Sequence, residues 1–395
     1  MTEAESRRHS DLAPDRMPEK APEVIAAAVP GLPGGLRARI PGPQDIAALV
    51  RLLAQQRRWA CPAAGGAIDR ESVREVVSGP ASWTRRHVVV ESAADDPAAG
   101  GPLIATASVH DRAAGRTMIE VVIDPEARDA DELAGALFAW AADAAIDVAR
   151  SRALPGTQLD SGAYRKDERQ QRWLRDAGYR HVRTWRQEKR AVEAGETAPP
   201  LRPGVRLRQV RTHPDGTPVG QDLRTVHDVI EESFADHFNN HRESLAEFIQ
   251  RLREDPGHAW DHWWIAEVAV ERDGGEGDSG EAGTDRTTAE SGDVEWVPGG
   301  ALVGSISPED AEGFEGSYVD YLGVTRAARG RGVARALLWA VIEDASRRGC
   351  NRVGLEVDAD SPTGADTLYD SMGWRTTYET QSWHRDIEVP PAESI

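Results

Sequence analysis

Short segments in which apolar and polar residues alternate recur along the chain, separated by longer segments whose apolar residues repeat at helical spacing. In the second half, VRLRQV at 205–210 alternates as a strand, while 221–234 and 243–252 carry the helical period. WWIAEVAV at 263–270, ALVGSIS at 301–307 and SYVDYLGV at 317–324 read as three further strands. In the next segment Val333, Ala334, Leu337, Leu338, Val341, Ile342 and Ala345 fall on one stripe, as an amphipathic helix requires. RVGLEV at 352–357 follows as a strand, then a short helix at 364–372 closed by Gly373, then a last strand through Trp383. The order predicts an α/β fold of mixed α+β type, with a mixed, mostly antiparallel sheet flanked by helices.

The same order occurs twice. WLRDAGYRHVRTWRQEKR at 173–190 resembles LYDSMGWRTTYETQSWHR at 368–385, with helix end, glycine, aromatic and arginine in register. The segment at 35–53 likewise echoes 204–234. Residues 1–33 are polar and proline-bearing, and are expected as a disordered tail. The first copy then covers 34–190, a proline-rich linker 191–203, and the second copy 204–390. Within the second copy, 271–300 is rich in Gly, Asp and Glu and is expected as a flexible acidic loop joining two adjacent strands.

A net charge of -19 over 395 residues argues against a nucleic-acid partner, whose phosphates call for clustered Lys and Arg. Lysine occurs only at Lys20, Lys166 and Lys189, so nearly all positive charge is arginine, the better residue for forked contacts to phosphate. Cys61 and Cys350 lie in different halves and form neither a metal-ligand spacing nor a disulfide framework. No leader-like or membrane-spanning apolar run is evident, so a soluble cytoplasmic protein with no membrane partner is expected.

The chemistry-bearing string is LGVTRAARGRGVARALL at 322–338. A strand ends near Val324, a short loop carries Arg326, Arg329 and Arg331, and Gly332 stands where the helix begins. Gly330, Gly332 and Ala334 let backbone approach a bound group, and the free amides of the helix N-terminus favour an anion. A solvated basic loop before a core helix is the competing reading.

Strand, R-x-x-G-x-A turn, helix, strand and a second short helix ending in LYDSMGW resemble the GNAT superfamily of N-acetyltransferases over about 204–388. Two such copies in tandem resemble the mycothiol synthase-like group within it. The resemblance implies acetyl-CoA as cosubstrate and direct transfer of its acetyl group to a primary amine of a small molecule. It assigns the pyrophosphate to the amides of Arg329, Gly330, Arg331, Gly332, Val333, Ala334 and Arg335. The pantetheine arm falls to the main chain of Leu322, Gly323 and Val324, with a further contact from Ser361, where asparagine is usual. Tyr369 takes the place of the general acid that protonates the CoA thiolate, a role suited to a phenol of pKa about 10. Asp320 shares side-chain parity with Leu322 and Val324 and is expected to face the cleft as the base. Tyr318 and His237 are expected on the acceptor side. His237 and His241 lack a metal-binding pattern, so no metal is expected, and Trp260, Trp263 and Trp264 read as packing aromatics.

The first copy departs from this pattern. After its strand the chain reads EARDADELAGALF, with Glu126, Asp129, Asp131 and Glu132 at the helix start and no glycine before Gly135. Acidic groups there repel a pyrophosphate, and Leu174 stands where Tyr369 does. A noncatalytic first domain is expected. A sensor that binds acetyl-CoA without turnover is the alternative function, and Tyr369 is the residue that separates the two.

Overall fold

The computed structural model describes residues 25–93, 101–112, 115–235, 242–271, 294–310, 312–360 and 365–390. The two halves have matching element orders. The first runs β1 (Leu36–Arg39), α1 (Ile46–Ala60), α2 (Arg70–Ser78), β2 (Arg85–Ser92), β3 (Leu103–Asp111), β4 (Arg116–Ile123), α3 (Ala130–Ser151), β5 (Gly156–Tyr164), α4 (Glu168–Asp176) and β6 (Arg180–Ala191). The second runs β7 (Val205–Gln209), α5 (Gly220–Phe234), α6 (Leu245–Arg253), β8 (His258–Glu271), β9 (Val294–Ser307), β10 (Gly316–Val324), α7 (Val333–Arg348), β11 (Arg352–Asp358), α8 (Ala365–Ser371) and β12 (Arg375–Glu388).

All twelve strands join one sheet in the order β1-β2-β3-β4-β5-β12-β6-β11-β10-β9-β8-β7. The pairs β4/β5 and β10/β11 are parallel and the rest antiparallel. The halves exchange their last strands: β6 pairs with β11 and β12, and β12 pairs with β5 and β6. Consequently Trp383 of β12 is buried in the core of the first half, beside Leu159 and Trp173.

Each half has its own apolar core. The stripe on α7 packs Val333, Leu337, Leu338, Val341 and Ile342 against Trp264, Leu302, Val319, Val353 and Leu355. On the opposite face of the sheet, α5 and α6 pack Val226, Ile230, Phe248 and Leu252 against Trp263, Ile265, Ala301 and Val303. Adjacent Trp263 and Trp264 thus serve the two faces of β8, as strand alternation dictates.

Three expectations change. Residues 25–33 are docked rather than free: Ala26 bridges Arg39 and Val29 is buried in the first core. Residues 294–300, assigned to the acidic loop, are strand β9 and pair with β8, while 272–293 lie outside the described residues, as do 1–24 of the expected tail. The linker is tied to the second half, since the amide of Val192 bonds the carbonyl of Asn351 and Ser346 bonds both Glu193 and Glu196.

Candidate active site

β10 pairs regularly with β9 as far as Val319 opposite Gly304, and then Tyr321 pairs with Val303, leaving Asp320 as an extra residue. Such a bulge turns side chains away from strict alternation. Val319 and Leu322 both pack on the α7 side, while Tyr321 between them meets Phe234, Phe248 and Arg251 of α5 and α6. The parity argument that grouped Asp320 with Leu322 and Val324 therefore fails, because it assumed an unbroken strand. Asp320 lies on the α5/α6 side, where Arg251 acts on it and the Ser305 hydroxyl donates to it.

Burial pushes the Asp320 carboxyl up to about 7, with Asp255 adding to the rise while Ser305 and Arg251 oppose it. A carboxyl poised there changes protonation near neutrality, as a general base should. Tyr318 lies close by, its phenol raised far above the ordinary range by burial and by the charges of Glu356 and Asp320. It lines a cavity of about 60 Å³ together with Gln187, Glu188 and Lys189 of β6, Arg352 of β11 and Tyr378 of β12. Glu356 keeps exposed surface on this side while surrounding protein raises its carboxyl, so it faces a wet cleft.

β10 and β11 pair only over Ser317, Tyr318 and Val319 with Val353, Gly354 and Leu355. Beyond that point β11 stays paired with β6 as far as Asp358, whereas residues 320–324 of β10 have no strand partner on that flank among the described residues. The two parallel strands open into a wedge with unpaired main-chain groups on one side, which suits an extended chain carrying amides. The wedge points to the turn. Gly330 and Gly332 adopt φ of 77° and 86°, the left-handed region that side chains resist. Gly332 caps α7, and the first bond inside the helix runs from the Ala336 amide to the Gly332 carbonyl at 3.0 Å. The amides of Val333, Ala334 and Arg335 thus have no acceptor in the helix and form an anion cradle.

The arginines divide their roles. Arg331 points inward, its guanidinium donating to the Ala269 carbonyl at 2.8 Å, and Arg335 donates to the Ser371 hydroxyl at 2.7 Å, tying α7 to α8. Arg329 is exposed beside the cradle. Arg202, from the linker, crosses the turn: a Cβ on Gly332 would lie 2.9 Å from its Cδ.

Tyr369 is carried by α8, is 8% exposed, and packs 5.9 Å from the Trp374 ring. Burial pushes its phenol up to about 12, and Glu188 adds to the effect when it is ionised. Ser361 and His237 lie outside the described residues.

The first half repeats the wedge, with β4 and β5 paired only over Arg116–Met118 and Gln158–Asp160 while β5 stays paired with β12 to Tyr164, but it lacks the bulge, the glycine turn and the tyrosine. β3 and β4 pair without interruption, so no bulge forms. The residue before α3 is Asp129, at φ 54°, and Asp131 and Glu132 occupy the first helical turn. Leu174 is fully buried in the core.

Sequence reasoning missed a buried polar line in the second half. His262 of β8 bonds the Asp344 carboxylate through Nδ1 and the Ser317 hydroxyl through Nε2, both at 2.6 Å. The order Ser, His, Asp is that of a hydrolytic triad, yet their exposures are 1%, 0% and 1%, so no substrate reaches Ser317. Arg347 and Arg348 also pair with Asp344. The line braces β8, β10 and α7 against one another. Among the described residues, no group of three or more His, Cys, Asp or Glu side chains could hold a metal ion, and no helix is long and apolar enough to cross a membrane.

Comparison with known proteins agrees with this geometry. Residues 239–374 match the acetyltransferase (GNAT) family. No curated protein matches the chain in sequence. Among solved structures, a GCN5-related N-acetyltransferase from Sphaerobacter thermophilus is similar at 24% identity and TM-score 0.63, over 92% of this chain and 99% of that one. A tandem GNAT protein from the clavulanic acid biosynthesis pathway is similar at 12% identity and TM-score 0.56, over 94% and 99%. Saccharomyces cerevisiae N-myristoyltransferase, solved with bound myristoyl-CoA, shares the fold at 10% identity and TM-score 0.51, over 91% and 82%. The bulge, the wedge and the glycine turn all lie within the matched segment, and the chain carries a GNAT acetyltransferase domain in its second half.

Proposed function

We propose that the second half transfers the acetyl group of acetyl-CoA directly to a primary amine of a small acceptor. The observation that carries this reading is the conjunction of a bulged Asp320, an open β10/β11 wedge and a left-handed glycine turn in one continuous stretch of chain. The amides of Arg329 and Arg331 already donate to the Arg326 and Ala328 carbonyls, so the pyrophosphate would sit on those of Gly330 and residues 332–335, and the pantetheine arm along residues 322–324. The thioester would then lie between Asp320, on the acceptor side, and Tyr369, on the α8 side. Asp320 takes the proton of the attacking amine, the acetyl carbon–sulfur bond breaks as the carbon–nitrogen bond forms, and the Tyr369 hydroxyl gives its proton to the leaving thiolate. Two titratable groups on opposite sides of the wedge favour turnover over a sensor, which needs only the cradle.

The test is acetyl-CoA consumption over a panel of amines, aminoglycosides and aminosugar thiols, followed by Tyr369→Phe. Removing the hydroxyl alone keeps the packing against Trp374, so the chemical step should slow by about 10²-fold or more in single turnover, with acetyl-CoA affinity unchanged. A wild-type chemical step in the phenylalanine variant would remove Tyr369 from the mechanism.

A further inference from the structure

Strand exchange places a carboxyl group of the first half behind the proposed acid of the second. Gln187, Glu188 and Lys189 of β6 all border the acceptor-side cavity, and the Glu188 carboxyl also feels Asp366 and Asp370 of α8. Glu188 stands opposite Leu355 of β11 and Thr376 of β12. Leu355 shares its core cluster with Tyr369 and Trp374.

Glu188 is 4% exposed, and its Oε1 accepts only a long bond from the Thr376 hydroxyl at 3.3 Å. Its Oε2 has no partner among the described residues, and neither does the Trp374 indole nitrogen. Two orphaned polar atoms so close to Tyr369 are costly unless something uses them. The charged groups acting on Glu188 are Asp366 and Asp370 of α8 and Arg186 of its own strand, and burial with the two aspartates holds its carboxyl above the usual range. A protonated carboxyl has a hydrogen to donate, which an ionised one lacks.

We infer that Glu188 is the positioning residue of the acid, donating to the Tyr369 oxygen and resupplying its proton. This rests on Tyr369 being the acid. As the Tyr369 proton passes to the CoA sulfur, the Glu188 proton passes to the phenolic oxygen. Glu188 is left as carboxylate and regains a proton from solvent before the next turnover. The amine's own proton leaves through Asp320, so charge balances over the cycle. The first half thereby takes part in the chemistry without binding cofactor.

The experiment is a double-mutant cycle of Glu188→Gln and Tyr369→Phe in the full chain, read by single-turnover acetyl transfer, with acetyl-CoA affinity by calorimetry and folding by circular dichroism. Glu188→Leu, which leaves no unpaired polar group, serves if glutamine disturbs folding. The expected result is a loss of about tenfold or more from Glu188→Gln alone, no further loss in the Tyr369→Phe background, and unchanged affinity. The decline in rate that Glu188 ionisation imposes on the wild type as pH rises should vanish in the glutamine variant. Tyr369→Phe impaired with Glu188→Gln at wild-type rate, or losses that simply add, overturns the inference and leaves the acid standing. A wild-type rate in Tyr369→Phe overturns both.

Discussion

Replacing Asp320 with asparagine should stabilise the protein at alkaline pH while disabling it. Lifting a carboxyl from 3.8 to about 7 makes its ionised form up to about 4 kcal/mol less favourable in the folded than in the unfolded state. The sign follows from proton uptake. Below pH 3.8 both states hold the proton and folding is unaffected; between there and 7 the unfolded chain ionises first, so stability falls as pH rises, and above 7 the full cost is present. Asparagine never ionises. The stability difference between variant and wild type should therefore widen by about 2.5 kcal/mol from pH 5 to pH 8, whatever fixed offset the amide introduces against Ser305. Urea denaturation at the two pH values measures this without knowledge of the acceptor. With an acceptor in hand, wild-type kcat/KM should climb about tenfold per pH unit up to a midpoint near 7, and the variant should lose about 10²-fold to 10⁴-fold and the climb with it. Equal pH dependence of stability in both proteins would refute the raised carboxyl, and equal rates would refute the base.

Gly332→Glu puts a side chain where φ is 86° and an anion at the cradle, and should abolish calorimetric binding of acetyl-CoA in a folded protein at a cost of about 1–2 kcal/mol in stability. Glu132→Ala at the start of α3 should leave binding unchanged; a clear loss there would move the cofactor to the first half. His262→Ala breaks a fully buried line between Ser317 and Asp344 and should lower unfolding free energy by about 3 kcal/mol, because it leaves buried polar groups unpaired. A loss under about 1 kcal/mol would mean that Arg347 and Arg348 alone satisfy Asp344.

Local pattern carried much of this molecule, and nonlocal pairing carried the rest. The α7 stripe and the glycine turn were legible because helical spacing and the backbone demands of an anion cradle are properties of neighbouring residues. The side of the sheet that Asp320 faces was not, because a single bulge between Val319 and Tyr321 reverses every parity count across it. Residues 25–33 read IAAAVPGLP, and Ala27, Val29 and Leu32 dock them on the first core, a short apolar run hidden by the polar composition of 1–33 as a whole. His262, Ser317 and Asp344 are far apart in sequence and share no motif, so only the packing of β8, β10 and α7 brings them into line. Glu188 gave no signal because alternation names two faces without saying which one a distant strand will cover.

The exchange of β6 and β12 also explains why a half without a cradle is retained. Without β6, β11 would present an unpaired edge at the foot of the wedge, and an open strand edge is a template for association. Without β12, the first half would lose Trp383 and Ile387 from its core and the partner of β5. Neither half can close its sheet alone, so the two must fold as one body whatever each does chemically. The turn before α3 lies outside that exchange, on the side of the sheet where no second-half strand depends on it. Glycines could therefore give way to Asp129, Asp131 and Glu132 without cost to the shared sheet. The strand that delivers Gln187, Glu188 and Lys189 to the working site has no such freedom, because each of these residues is paired with both β11 and β12.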